Sequence, residues 1–100
     1  MDLTQIRDRI DQLDRQIAAL LTERMEITNE VAAYKIEHNL PVYHPEREKQ
    51  VIEKVSALTK EEYRDALAVI YQCIMDESKK NQEHYIASKS NPLKICRILF

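Results

Sequence analysis

The residues with the clearest chemical potential are polar side chains at positions where helical packing favours apolar ones. They are Arg24, Lys35, Glu48, Ser78 and Gln82. A buried charge is costly unless it is paired, so each charged group needs a partner in the protein or on a ligand. Several cations with one carboxylate and one amide suit a small dianion that also carries a hydroxyl group. Such a set favours confinement and charge stabilisation over attack by a nucleophile.

Each of these residues also has a purely structural interpretation, which the sequence leaves open. Arg24 and Glu48 can form a mutual buried salt bridge that fixes the register of two helices. Lys35 can be a solvated residue that favours a helix C-terminus. Ser78 and Gln82 can mark the point where an apolar stripe emerges into solvent. The functional interpretation depends on the convergence of all five residues.

The spacing of the cations sharpens the functional interpretation. On one helix, Arg24 and Lys35 lie within about 20° of the same face and about 16 Å apart along the axis, so both can reach toward a small anion. Arg7 lies about 25 Å from Arg24 along the axis and about 100° around it. If Arg7 joins the same site, it must come from a second protomer.

The elements that must position these residues are helices. The chain has 100 residues, no glycine and three prolines, which argues against glycine-rich phosphate loops, Rossmann fingerprints and tight hairpins. One stripe, apolar except at Arg24, consists of Leu3, Ile6, Ile10, Leu13, Ile17, Leu20, Arg24, Ile27, Val31 and Tyr34. A helix of that length exceeds about 50 Å, more than its own short chain can cover. We therefore predict one very long N-terminal helix in a homodimer.

Local signals predict the helix ends. Asp2 and Gln5 form a capping pair at the start of the first helix, and the segment Asn39-Leu40-Pro41 ends that helix. Pro45 begins a second helix that runs to about Ala57. A capping box opens the third helix, formed by Thr59 and Glu62. The predicted inward face of the second helix consists of Glu48, Val51, Ile52, Val55 and Leu58. That of the third consists of Tyr63, Leu67, Ile70 and Ile74, and the same stripe then becomes polar at Ser78 and Gln82.

Composition excludes several classes of function. Fifteen basic against seventeen acidic residues give a net charge of −2, so nucleic-acid binding is not expected. The opening residues, Met1-Asp2-Leu3-Thr4-Gln5, lack the basic and apolar regions of a signal peptide, so none is expected. No apolar run approaches the roughly 18 residues that span a membrane. Cys73 and Cys96 form no disulfide framework, which favours the cytoplasm. The three histidines, His38, His44 and His84, are scattered as surface residues are, and no metal or cofactor is expected.

An ordered series of fragments covers most of the chain from about Leu3 to Gln82. The fragments are Ile6-Arg7 to Asp14, Leu20-Leu21-Thr22-Glu23-Arg24, Val31-Ala32-Ala33-Tyr34-Lys35, Pro41-Val42 with Pro45-Glu46-Arg47-Glu48, and Ser78 with Gln82. Each fragment is weak alone, but together and in this order they are highly specific. The series resembles the all-helical chorismate mutases. That resemblance implies an all-α, intertwined homodimer with three helices per chain, which rearranges chorismate to prephenate in phenylalanine and tyrosine biosynthesis.

The resemblance also implies roles for the residues that bind the substrate's charged groups and the breaking bond. Arg24 and Arg7 of the second protomer would bind the two carboxylates. Lys35 and Gln82 would donate hydrogen bonds to the ether oxygen, with Lys35 also close to a carboxylate.

The remaining positions that match the family lie around the substrate ring. Glu48 would hold the ring hydroxyl, and Arg47 and Ser78 would line or order the pocket. His44 stands just before the second helix, where members of the family often have Asp. Since His is a poorer N-cap than Asp, this loop is expected to close less firmly. The resemblance implies that the position contributes largely through its backbone, which would limit the effect.

The sequence leaves open two alternative functions and the role of the C-terminal tail. Isochorismate pyruvate-lyase shares the fold and much of the pocket, but Glu48 and Gln82 favour the mutase. A noncatalytic dimerisation module would use the internal charges only to set helix register. The predicted domain covers residues 1–86. The tail, residues 87–100, is either a flexible or surface-packed extension or a docking segment for a pathway enzyme, suggested by apolar residues around Lys94 and Arg97.

Overall fold

The structure is a computed structural model that describes residues 2–89 as three α-helices and one short 3-10 turn. Helix α1 spans Leu3–His38, α2 spans Pro45–Leu58 and α3 spans Arg64–Lys89, with the 3-10 turn at Glu61–Tyr63. The described residues contain no strand, so the predicted all-α class with three helices is confirmed. Of the predicted tail, residues 87–89 belong to the last turn of α3, and residues 90–100 lie outside the described residues.

Both ends of α1 follow the predicted signals. The Asp2 carboxylate accepts a hydrogen bond of 2.9 Å from the backbone of Gln5, whose side chain accepts one of 3.0 Å in return. At the other end Asn39 adopts a left-handed conformation, with φ of 55°. This residue closes the helix and turns the chain back, because the next amide, that of Leu40, bonds to the carbonyl oxygen of Lys35 at 2.9 Å.

Helix α2 begins as predicted and ends one residue later than predicted. Pro45 occupies its first turn, and His44 is an N-cap that forms no side-chain capping bond, as expected for histidine. The predicted inward face is half-buried at its first four positions, but Leu58 is 87% exposed and does not belong to it. The reason is local, since the chain leaves the helix in an extended conformation at Thr59, directly after Leu58.

The capping box predicted for Thr59 and Glu62 is wrong. The Thr59 hydroxyl donates to the carbonyl oxygen of Val55 at 2.6 Å, so it satisfies the end of α2 instead. Glu62 forms an exposed ion pair with Lys60 at 2.8 Å. A 3-10 turn intervenes, and α3 therefore begins only at Arg64.

Helix α3 packs against both α1 and α2, and its buried face differs from the predicted stripe. Tyr63 and Ile70 are exposed, whereas Met75, Ser78 and Gln82 are buried. The predicted stripe is therefore wrong at two positions. Tyr63 lies in the 3-10 turn before α3. Ile70 lies about 140° around the helix from Met75, which forms one row with Ser78 and Gln82, so Ile70 falls outside the buried face.

Most of the apolar stripe of α1 is exposed in the single chain. Leu3, Leu13 and Leu20 are 58%, 57% and 63% exposed. The chain measures 59 × 30 × 21 Å, and its radius of gyration of 17.7 Å exceeds the value of about 13 Å typical of a compact 100-residue domain. Among residues 2–89, no helix combines the length and apolar character needed to cross a membrane.

Candidate active site

A pocket of about 420 Å³ is lined by residues of all three helices. It brings together seven of the eight predicted site residues: Arg24, Lys35, His44, Arg47, Glu48, Ser78 and Gln82. The eighth, Arg7, is exposed and does not line this pocket. Residues that are as many as 58 positions apart in sequence (Arg24 to Gln82) thus face one cavity.

Lys35 is held inside the pocket by two neutral acceptors. Its Nζ atom donates to the carbonyl oxygen of Val42 at 2.7 Å and to Oε1 of Gln82 at 3.2 Å. The left-handed turn at Asn39 makes the first bond possible, because it returns the chain toward the last turn of α1. Burial lowers the pKa of Lys35. Lys35 is therefore not a solvated residue at the end of a helix, so its purely structural interpretation is wrong.

Arg24 is oriented by a hydroxyl group on α3. Its Nη1 atom donates to Oγ of Ser78 at 3.0 Å. Ser78 and Gln82 are only 3% and 7% exposed, so they do not mark a stripe that emerges into solvent. The alternative of a salt bridge between Arg24 and Glu48 is also wrong, because the carboxylate of Glu48 pairs with a different cation.

That cation is Lys79, which contacts Glu48 from α3. Oε2 of Glu48 lies 2.9 Å from Nζ of Lys79, and Oε1 accepts a hydrogen bond of 3.0 Å from Gln72. Desolvation raises the pKa of Glu48, but the hydrogen bonds from Gln72 and Lys79 and the charge of Lys79 together outweigh it, so the pKa lies below its usual value. Glu48 is therefore ionised at neutral pH.

Lys79 is not among the predicted site residues, although the sequence carries a signal for it. Lys79 follows Ser78 directly and precedes Gln82 by three residues, a spacing that places Lys79 and Gln82 on neighbouring positions of one helix face. The carbonyl group of Val42 is a further unpredicted member of the site, because no side-chain pattern reveals a backbone acceptor. Both residues line the pocket.

Arg24 and Lys35 have no acidic partner among the residues that the structure describes. Their acceptors are a hydroxyl, a carbonyl and an amide oxygen. One side of the pocket is thus positively charged and Glu48 lies on another, which suits an anion that also carries a hydroxyl group. The same part of the chain holds no cluster of three or more potential metal ligands.

Fold and pocket together define an all-helical domain with a charged pocket between the side chains of three helices. A family model for chorismate mutase type II matches residues 6–83. This chain belongs to the chorismate mutase type II family.

Individual relatives match most of the chain. The chorismate mutase of Methanocaldococcus jannaschii is 32% identical over 94 residues, which cover 92% of this chain and 95% of the relative. The bifunctional chorismate mutase/prephenate dehydratase of Aquifex aeolicus is 34% identical over 98 residues, covering 89% of this chain. That of Escherichia coli K12 is 30% identical over 93 residues, covering 91%.

The relatives differ in length. This chain spans 27% and 24% of the two bifunctional relatives, but nearly the whole of the archaeal one. No solved structure matches the chain significantly.

Proposed function

We propose that this chain is a chorismate mutase that converts chorismate to prephenate by an intramolecular [3,3] rearrangement. The observation that carries the proposal is the pocket, in which seven of the eight predicted site residues face one cavity and two of its cations have no acidic partner within residues 2–89. The proposed substrate has two carboxylates, an ether oxygen and a ring hydroxyl. Each of these groups has a complementary group in the proposed site.

The reaction requires no nucleophile, proton transfer or cofactor. Catalysis comes from holding the flexible enolpyruvyl arm in a compact, reactive chair and from stabilising charge. Negative charge grows on the ether oxygen as the C–O bond breaks. The Lys35 ammonium group, oriented in advance by Val42 and Gln82, stabilises this charge more in the transition state than in the ground state.

Gln82 assists at the same oxygen through its amide nitrogen. Its amide oxygen already accepts from Lys35 at 3.2 Å, so the NH₂ group is the part that donates to a ligand. An amide does not titrate, and this donor therefore acts over a wide pH range. Lys35 and Gln82 form one unit whose two donors converge on the ether oxygen.

The other pocket residues bind and orient the substrate. Arg24, aligned by Ser78, binds one carboxylate, and ionised Glu48 accepts a hydrogen bond from the ring hydroxyl. Arg47 and His44 line the same cavity as exposed residues. Because His44 forms no capping bond, the loop before α2 is held by Pro45 and by the bond from Lys35 to Val42.

We also propose that the active form is an intertwined homodimer. Two observations support it. The apolar stripe of α1 is exposed in the single chain, and a second copy would bury it. Arg7, on that same helix, lies outside the pocket of its own chain, as expected of a residue that binds the second carboxylate in the site of the partner.

Subunit mixing tests the contribution of Arg7 across the interface. We expect Arg7→Ala and Lys35→Ala each to lower turnover strongly as homodimers. Mixed during refolding, the two variants form heterodimers in which one site carries both defects and the other is intact. Random pairing should therefore restore about a quarter of wild-type activity, measured from chorismate consumption before and after mixing.

The matched control for subunit mixing pairs Arg24→Ala with Lys35→Ala. Both residues line the pocket of one chain, so no heterodimer of these variants contains an intact site, and mixing should restore nothing. Recovery in this control, or none with Arg7→Ala, would contradict the proposed sharing of the site.

The direct test of the proposed function is the loss of chorismate absorbance on adding the purified protein, with prephenate identified as the product. Offering isochorismate in a parallel assay tests the pyruvate-lyase alternative, which predicts pyruvate release. A noncatalytic module predicts that neither substrate is consumed and that calorimetry detects no chorismate binding.

We propose the cytoplasm as the location, in keeping with the free cysteine at position 73. Docking to a pathway enzyme through the tail, residues 87–100, remains a prediction from sequence.

A further inference from the structure

We propose that Lys79 is a positioning residue of the active site, which fixes the Glu48 carboxylate in the orientation that the ring hydroxyl of the substrate requires. The inference rests on the proposed function and assigns a role to a residue that neither the sequence analysis nor the likeness to the family singled out. It is carried by a closed network of four side chains on α2 and α3.

The network joins two carboxylates through one ammonium and one amide group. Lys79 contacts Oε2 of Glu48 at 2.9 Å and Oδ1 of Asp76 at 3.3 Å. Gln72 donates to Oε1 of Glu48 and to Oδ1 of Asp76, each at 3.0 Å. Gln72, Asp76 and Lys79 are spaced four and three residues apart, so they lie on one face of α3 and approach Glu48 together.

Both oxygens of Glu48 are therefore held from the same side. The Glu48 side chain is only 16% exposed and that of Lys79 24% exposed, so this pair is less screened than the other ion pairs of the described residues. The lone pairs of Glu48 that the network leaves unused remain for a donor in the pocket, which Glu48 also lines. A carboxylate with fixed acceptor directions is what a single substrate hydroxyl needs.

Lys79 is itself anchored by the segment that connects α1 and α2. Its Nζ atom lies 4.5 Å from the centre of the Tyr43 ring, within the range of a cation–π contact. Lys79 thus links α3 to Tyr43 in the connection and to Glu48 in the first turn of α2. It lines both the substrate pocket and a second, shallower hollow on the outer side of Glu48.

The pKa shifts of Lys79 and Glu48 agree with this geometry. The hydrogen bond to Glu48 raises the pKa of Lys79, and the interactions with Lys79 help to keep the pKa of Glu48 below its usual value. Other charged groups also line these two cavities: Glu23, Arg24 and Lys35 from α1, His44 and Arg47 at the start of α2, and Asp76, Lys80 and Glu83 from α3. Of all these cations, only Lys79 forms an ion pair with Glu48 within residues 2–89.

The experiment compares Lys79→Met with Lys79→Arg in the full-length protein. Without the cation, Glu48 binds protons more readily, so the acid limb of the kcat/KM profile should move to higher pH. At a pH on that limb, kcat/KM of Lys79→Met should fall about tenfold, because a hydrogen-bonded carboxylate loses its charged partner. Lys79→Arg keeps a cation beside Glu48 and should restore most of the loss.

A second readout needs no substrate. Carbon-13 NMR of the Glu48 carboxyl group should show its titration displaced to higher pH in Lys79→Met. The matched control is Lys80→Met, which removes the same charge one residue away, where Lys80 pairs with Glu77 at 3.1 Å and does not pair with Glu48. It should leave both the acid limb and the Glu48 titration unchanged.

The outcomes separate this inference from the proposed function. Failure of the wild-type chain to turn over chorismate overturns the proposed function, whatever the NMR titration shows. An active wild-type chain whose Glu48 titration and acid limb are the same in Lys79→Met overturns the role of Lys79. A loss of activity that is uniform across pH, and that Lys79→Arg does not restore, also overturns it, because that result indicates general damage to the fold.

Discussion

Replacing Lys35 with alanine is expected to lower kcat at least about a hundredfold while leaving the fold intact. The ammonium group is the one cation that two neutral acceptors hold in place inside the pocket, so it faces a developing negative charge without being neutralised. Losing one pre-oriented donor of this kind typically costs about 3 to 4 kcal/mol of transition-state stabilisation. Steady-state kinetics with chorismate give the effect, and circular dichroism checks the helices.

The matched control for Lys35→Ala is Lys89→Ala. Lys89 lies in the last turn of α3, where its ammonium group contacts the ring of Tyr85, and it does not line the pocket. This variant should keep near-normal kcat. Near-normal turnover by Lys35→Ala itself would contradict the role assigned to Lys35.

The pH dependence of the wild-type protein provides a second readout for Lys35. Burial lowers the pKa of Lys35, and only the protonated form stabilises the ether oxygen. As the pH rises, the free protein therefore loses this proton at a lower pH than an ordinary lysine does. The alkaline limb of kcat/KM, which reports groups of the free protein, should fall below the usual lysine range. A limb that lies in or above that range would contradict this assignment.

Replacing Leu13 with glutamate is expected to disrupt the dimer and to remove nearly all activity. Leu13 lies in the middle of the apolar stripe of α1 and is 57% exposed in the single chain. A carboxylate there would be buried without a partner in the proposed interface, where two copies would face each other. The proposed site would also lose the Arg7 that the second copy supplies. Ultracentrifugation measures the assembly, and the chorismate assay measures activity.

The control for the dimer prediction is Ala18→Glu. Ala18 is exposed and lies about 140° around the helix from Leu13, on the opposite face. This variant should remain dimeric and active. A wild-type dimer should also melt at higher temperature as its concentration increases, which supports the interface even where Leu13→Glu fails to fold. A Leu13→Glu variant that stays dimeric and active would contradict the proposed interface.

The sequence was most informative where a single helix carries the signal. The stripe of α1 and the cap formed by Asp2 and Gln5 predicted that helix closely, because period and capping depend on residues three or four apart. The prediction was weaker at Thr59, whose hydroxyl serves either the preceding or the following helix. Sequence spacing does not decide that choice, because both partners lie within reach along the chain.

The pocket shows the same division between local and long-range information. The sequence identified unusual polar positions, such as Arg24 and Ser78, because each breaks a local pattern. It did not decide their partners. Arg24 and Glu48 were also compatible with a mutual salt bridge, which the structure replaces with bonds to Ser78 and Lys79.

By itself, the sequence determined that the chain forms three helices, that a long apolar stripe needs cover, and that several charges lie where packing disfavours them. These properties follow from periodicity and from the cost of burying charge, which a sequence displays directly. Only the tertiary structure decided that the carbonyl group of Val42 orients Lys35 and that Lys79 pairs with Glu48. The first contact depends on the left-handed turn at Asn39, which returns the chain toward the last turn of α1. The second depends on how α3 is rotated against α2, because Lys79 and Glu48 lie on different helices.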